Sequence, residues 1–289
     1  MRITQGMLAG NMLRNLSNSY STLGTYLNQL STGKKINKPS DDPVIAMKGI
    51  DYRTQVIKVE QYKRNTNEVH TWMDNSDVAL DNATQALQKM RELAIQASND
   101  TYGPDERENI MEEVKQLKEH IIDIANTNVN GKFIFNGTKT NELPITTEPY
   151  GIEAGKPVNI EVSSNTKLQA NVAGSEVFSK QLFEKIDRFI DALDTNNQSK
   201  IEGNIGALEG SIDNVINARA DLGARMNRLE LIENRLSSQE ITAKKSMSTN
   251  EDIDYEEVIT KLLAQESVHR AALSAGSRII QPTLLDFLR

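Results

Sequence analysis

The sequence predicts a mainly α fold: a long antiparallel helical bundle or coiled coil built by the N- and C-terminal halves of the chain, with a small β-rich central insertion. Three observations predict it. Apolar residues recur at alternating spacings of three and four over long stretches, the period of a helix that buries one stripe. All seven prolines, at 39, 43, 104, 144, 149, 157 and 282, fall between those stretches. Between residues 131 and 174 the helical period disappears, and five glycines and three prolines surround short alternating runs. With 38% hydrophobic but only 5% aromatic residues in 289, the chain suits thin helical layers better than a thick globular core.

The first helix is carried by Leu13, Leu16, Tyr20, Leu23, Leu27 and Leu30, a 3,4,3,4,3 ladder at a chain end, where most domains fray. Six side chains bury too little apolar surface to offset the backbone entropy of ordering the roughly 24 residues that present them, so this seam needs partners. Asn37-Lys38-Pro39-Ser40-Asp41-Asp42-Pro43 ends it, because each proline holds its predecessor out of helix. Asp42 before Pro43 reads as an N-cap with proline at the first helical position.

A second helix of about residues 44–99 carries Val59, Tyr62, Thr66, Val69, Met73, Ser76, Leu80, Ala83, Leu87, Met90, Ala94 and Ala97. Trp72, Ala79, Ala86 and Leu93 run beside that seam, which widens it enough to face more than one neighbour. After a turn at Gly103-Pro104, Ile110, Val114, Leu117, Ile121 and Ile124 mark an antiparallel helix expected to end near Asn130-Gly131. Strands are expected at 133–135, 159–162 and 167–172, in an insertion barely large enough for a core of its own. Helical period returns at Leu182, Ile186, Phe189 and Leu193, then over 198–247. Gly203, Gly206 and Gly210 stand at helical spacing there and read as a close helix-packing patch. Ser248–Asp254 breaks this helix, Asp254 with Glu257 resembles a capping box, and a last helix follows on Val258, Leu262, Ala272 and Ile279. Pro282 ends it, ahead of an apolar close, Leu284-Leu285-Asp286-Phe287-Leu288.

The net charge of −7 argues against nucleic acid. Residues 1–40 nevertheless hold five basic residues and no acid. The absence of cysteine excludes disulfides and thiolate chemistry. No apolar run is long enough to insert in a membrane, and Gly10, Asn11, Arg14 and Asn15 interrupt Met7–Leu16 too often for a secretory signal. His70, His120 and His269 have neither metal-ligand spacing nor a neighbouring nucleophile and read as surface or seam residues. Asp41-Asp42 lacks a third ligand and reads as a turn and cap. The sequence therefore predicts no enzyme, no cofactor and no metal.

One segment is more specific than any periodicity. Leu30-Ser31-Thr32-Gly33-Lys34-Lys35-Ile36, followed by Asn37-Lys38-Pro39 and Ser40-Asp41-Asp42-Pro43, resembles the N-terminal signature of the flagellin family, an L-S-x-G-x-x-I stretch leading into an S-D-D/N-x-A/P loop. Within that family three segments look like those of hook–filament junction members: the opening Met1-Arg2-Ile3-Thr4-Gln5 with Leu13-Arg14-Asn15-Leu16, the run Asn130-Gly131-Lys132-Phe133-Ile134-Phe135-Asn136-Gly137, and the close Leu284–Leu288. The I-N-x-N opening and terminal Ala-Asn pair usual in flagellin are replaced here by other residues, Gly276-Ser277-Arg278 and Pro282 among them.

The resemblance implies a structural, coiled-coil subunit of the bacterial flagellum. It would lie outside the cell at the hook–filament junction and be exported unfolded, without a cleaved signal peptide, by the flagellar type III apparatus with the help of a chaperone. Its partners would be copies of itself in a ring, the first hook-associated protein on one side and flagellin on the other; a short flagellin forming the filament itself is the alternative. The domains expected are a terminal assembly domain (1–43 and 255–289), a long-helix bundle (44–130 and 181–254) and an outward-facing β-rich insertion (131–180). The assembly interface is expected at Leu13, Leu16, Tyr20, Leu23, Leu27, Leu30, Val258, Leu262, Ala272, Ile279, Leu284, Leu285, Phe287 and Leu288. Ser31, Gly33, Ile36, Ser40, Asp41, Asp42 and Pro43 form the signature loop.

Overall fold

The structure, a computed structural model, describes residues 5–99, 103–145, 150–152 and 155–280. Helices α1 (Gln5–Thr32), α2 (Pro43–Ala97) and α3 (Pro104–Ala125) lead into strands β1 (Asn128–Val129), β2 (Lys132–Phe133), β3 (Asn159–Ser163) and β4 (Thr166–Gln169). The short α4 (Gly174–Val177) follows, then α5 (Lys180–Asp194), α6 (Gln198–Glu251) and α7 (Tyr255–Ile280). The mainly α class with a small β insertion is the observed one.

Two compact units form, one from the described residues up to Lys58 with those from Glu240 onward, the other from Val59–Gln239. The second unit has a dry core. Val69, Met73, Leu80, Ala83, Leu87, Met90, Ala94 and Ala97 of α2 have no exposed surface. Trp72, Ala79, Ala86 and Leu93 are buried beside them, so α2 does present the widened stripe its sequence carries. From α6, Ile201, Leu208, Val215, Leu222, Leu229 and Leu236 complete the cluster, with Val114 and Ile121 of α3 and Ile186 and Phe189 of α5. Polar ties fix the packing. Arg219 of α6 grips Asp77 of α2 through two contacts of 2.7 and 3.1 Å and also reaches Asp81; the carboxylates push its guanidinium pKa further up. Buried Arg107 of α3 donates to the Ala97 carbonyl at 3.2 Å, to Gln198 Oε1 at 2.7 Å and to Asn196, joining three helix ends.

Helix α3 stops at Ala125, not near Asn130-Gly131. Those two residues form the turn of the β1–β2 hairpin, with φ of +53° and +80°. An Asn-Gly pair suits such a two-residue turn because both positions need a left-handed backbone. Strands β3 and β4 pair antiparallel with an irregularity between Glu161 and Ser163. The insertion does not build a separate core: Ile134, Phe135, Ile152, Val162, Leu168 and Phe178 belong to the same buried cluster as the helices. Phe135 and Phe178 meet edge to face at 5.0 Å. The side chains of two long helices tie it down further, Asn65 donating to the Glu161 carbonyl at 2.7 Å and Arg225 to that of Asn171 at 2.9 Å.

The glycine patch on α6 is a further correction. A Cβ at Gly203, Gly206 or Gly210 meets nothing within 4 Å among the described residues, so none of them packs closely there. Each glycine then only loosens an otherwise regular helix. Gly203→Ala, Gly206→Ala and Gly210→Ala are each expected to stabilise this unit by about 0.5–1 kcal/mol. Urea unfolding followed by fluorescence of Trp72, the only tryptophan and buried in that unit, measures it. A fall in the midpoint on any of the three substitutions contradicts the open-space geometry.

Candidate assembly site

In the first unit, two chain corners are stitched together. The loop after α1 lies beside the α6–α7 joint through Lys35 N–H to the Glu251 carbonyl at 2.7 Å, Ile253 N–H to the Gly33 carbonyl at 3.0 Å and a β-bridge between Lys34 and Asp252. Gly33 adopts a φ of +70°, and a Cβ there would stand 2.8 Å from the Tyr255 hydroxyl, so backbone strain and close approach both call for glycine. The Lys34 ammonium reaches Asp252 at 2.6 Å and Glu251 at 3.4 Å. The Asp252 contact raises the pKa of Lys34, and the Lys34 contact lowers that of Asp252.

Glu251 is the buried member of this group. Its Oε2 accepts from Arg53 of α2 at 2.8 Å and from Lys34, while its buried Oε1 has no hydrogen-bond partner among the described residues. A Cβ on residue 49 would lie 2.6 Å from Oε1, so glycine at 49 is what lets the carboxylate press against α2. Asn250 Nδ2 adds a bond to the Ile45 carbonyl at 3.0 Å. The loop itself is closed by aspartates. Asp41 accepts the N–H groups of Lys38 at 2.9 Å and Asn37 at 3.1 Å, which lower its pKa. Asp42 caps α2 by accepting from Val44 and Ile45, and Asp254 caps α7 by accepting from Glu256 and Glu257.

From this corner α1 and α7 run antiparallel. Tyr255 lies over Gly33, Gln265 and His269 meet Ser19, and Met12 covers Gly276. The α7 side of the seam is Val258, Leu262, Gln265, His269, Ala272 and Gly276, all buried or half-buried. The α1 side is Met12, Leu16, Ser19, Leu23, Tyr26 and Leu30, all half-buried.

The ladder read from the sequence therefore divides into two stripes. Leu16, Leu23 and Leu30 are half-buried, whereas Leu13, Tyr20 and Leu27, also seven apart, are 59%, 72% and 56% exposed. Val258, Leu262 and Ala272 lie on the α7 seam, and Ile279 falls in the last turn of that helix. Leu284, Leu285, Phe287 and Leu288 lie outside the described residues. Of the loop, Gly33 and Ile36 are half-buried in the corner, Asp42 is the cap, and Ser31, Ser40, Asp41 and Pro43 are exposed. Periodicity missed Met12, Ser19 and Tyr26 because bulkier leucines and a tyrosine stand one position away. It also missed Glu251 and Asp252, for which an acidic pair opposite Lys34-Lys35 was the available signal. His70 is an exposed residue paired with Asp74 at 3.2 Å. Among the described residues no group of three potential metal ligands occurs, and no helix is long and apolar enough to cross a membrane.

A chain whose two ends pair as helices, still carrying an open apolar stripe, defines a class: the subunit of a helical assembly. Residues 3–140 match the bacterial flagellin N-terminal helical region and residues 205–288 the C-terminal helical region, together about three quarters of the chain. The chain belongs to the flagellin family and is a structural component of the bacterial flagellum. It is 26% identical to flagellar hook-associated protein 3 of Salmonella typhimurium, over 94% of this chain and 95% of that one. Flagellin of Bacillus subtilis is 25% identical over the full length of both. The structure of the flagellar junction protein FlgL from Legionella pneumophila has the same fold, with a TM-score of 0.59 at 14% identity, covering 71% of this chain and all of that one.

The corner makes an asymmetric prediction. Replacing Lys34 and Arg53 by alanine strands a buried carboxylate, whereas Glu251→Gln leaves two cations that water already reaches. Amide exchange at Lys35 and Ile253 is expected to speed up at least about tenfold more in the first variant than in the second. Equal effects indicate that Glu251 carries no buried charge.

Proposed function

We infer that this chain is the structural subunit joining hook-associated proteins to the flagellin filament, outside the cell at the hook–filament junction, and that it catalyses nothing. The observation that carries this reading is the second apolar stripe of the terminal helices. Leu13, Tyr20 and Leu27 of α1 and Ile259, Leu263 and Leu273 of α7 are exposed although their helices already pair with each other. A coiled-coil pair with apolar residues on its outer faces has the chemistry to take further helices. Those helices would come from copies of the chain in a ring, from the first hook-associated protein and from flagellin.

The three-part division fits this role. Residues 1–43 with 255–289 would be the assembly element, 44–130 with 181–254 the bundle, and 131–180 the outward-facing insertion. The apolar close at Leu284–Leu288 and Ile279 would extend the interface. An element that orders fully only among partners suits export in an unfolded state by the flagellar type III apparatus, with a chaperone covering its apolar stripes beforehand and no cleaved signal peptide. The full-length relationship to a hook-associated protein 3 supports the junction role; the equally complete alignment with a flagellin favours the second reading, a short filament subunit.

Cells lacking this chain separate the two. Hooks that release flagellin monomers without filaments fit the junction role, and hooks with no detectable flagellin fit the filament subunit. Leu13→Asp with Leu27→Asp is expected to leave the thermal midpoint of the Trp72 unit unchanged and to abolish incorporation into flagella. A large loss of stability places those leucines in an intramolecular core instead. Limited proteolysis of the purified chain is expected to remove α1 and α7 first, because the seam between them buries few residues fully.

A further inference from the structure

We propose, resting on the reading of the α1–α7 pair as the assembly element, that Ser19, Gln265 and His269 form a polar layer that selects α7 as the partner of α1. Gln265 Nε2 donates to Ser19 Oγ at 3.0 Å, and His269 Nδ1 lies 3.2 Å from the same oxygen. A serine hydroxyl can accept from the amide and donate to the imidazole at once, so one α1 atom serves both α7 side chains. The exposed Tyr20 ring lies beside the layer, its centroid 6.1 Å from that of the imidazole.

The leucines of the seam do not discriminate well by themselves. Leu16, Leu23 and Leu30 repeat every seven residues, so a helix shifted by one heptad, or a second copy of α1, meets them equally well. The polar layer does discriminate. Shifted by a heptad, Ser19 would face Leu262 or Gly276 and lose both of its partners, and His269 would face Met12 or Tyr26 in place of the serine. The α1 seam positions Met12, Leu16, Leu23, Tyr26 and Leu30 carry no amide or imidazole, so an α1–α1 pair along that seam offers Ser19 neither. A polar layer of this kind lowers the stability of a seam and raises its selectivity, which an element surrounded by many similar helices requires. The competing explanation is that the corner at Gly33 and Glu251 alone dictates the pairing.

The chain has no cysteine, so introduced thiols report cleanly. Met12→Cys with Gly276→Cys reads the native pair as a disulfide within one chain; Met12→Cys alone reads α1–α1 contact as a disulfide-linked dimer. In the otherwise unaltered full-length chain the first is expected to close nearly completely and the second to stay rare. With Ser19→Ala, Gln265→Leu and His269→Leu added, the intrachain disulfide is expected to fall and the dimer to rise at least about tenfold. Ser19→Thr, which keeps the hydroxyl, is expected to behave as the parent, and Ser19→Ala alone to move both readouts in the same direction by less. Unchanged disulfide yields in the three-residue variant, with Trp72 fluorescence showing an intact bundle, overturn the proposal in favour of the corner. If the parent chain does not close the Met12–Gly276 disulfide, the proposal fails as well. If the polar layer passes and Leu13→Asp with Leu27→Asp still enters flagella, the partner selection stands and the assembly reading alone is lost.

Discussion

The terminal helices depend on one buried carboxylate. Glu251 ends α6, receives Lys34 from the loop after α1 and Arg53 from α2, and lies against the bare backbone of Gly49. A carboxylate held this far from water needs its cations, and each cation belongs to a different segment. The charge therefore specifies which segments meet. With the backbone bonds of Lys35 and Ile253 it fixes the starting point of both terminal helices at one level. Further along the same two helices Ser19 meets His269 and Met12 meets Gly276.

The two units divide the work of stability. The bundle unit buries Met73, Leu80, Leu87, Ile186, Phe189 and Leu229 without residual exposure and folds its insertion into the same core. The terminal pair buries Val258 and Gly276 and leaves most of its seam half-open. Local opening follows burial, so the ends are the part of the chain that partners and conditions can order or release.

The fold was legible because its signals are periodic and long. The α2 seam from Val69 to Ala97 was readable residue by residue, since a helix that packs along its whole length repeats the same demand every turn. The hairpin at Asn130-Gly131 was misread as a helix end because an Asn-Gly pair both stops helices and turns strands, and only the residues beyond it decide. Gly203, Gly206 and Gly210 were misread because spacing says which face a residue is on and nothing about what stands opposite. The corner was half legible: the Gly33 loop stands out as a motif, but the partner of Lys34 lies more than two hundred residues away, and no local pattern points to it.

The division of the α1 ladder explains why one helix carries more apolar positions than a single partner can use. Spacings of three and four place Leu13, Tyr20 and Leu27 beside Leu16, Leu23 and Leu30, so the apolar band covers about 100° of the helix where one close neighbour needs a narrower strip. Helix α7 takes the half that contains Leu16, Leu23 and Leu30. The half that contains Tyr20 stays in water, where its exposed surface favours association without contributing to the fold of the single chain. The pattern that makes α1 weak as an isolated helix is thus the pattern that gives it two apolar faces, an inner one covered by its own chain and an outer one left open.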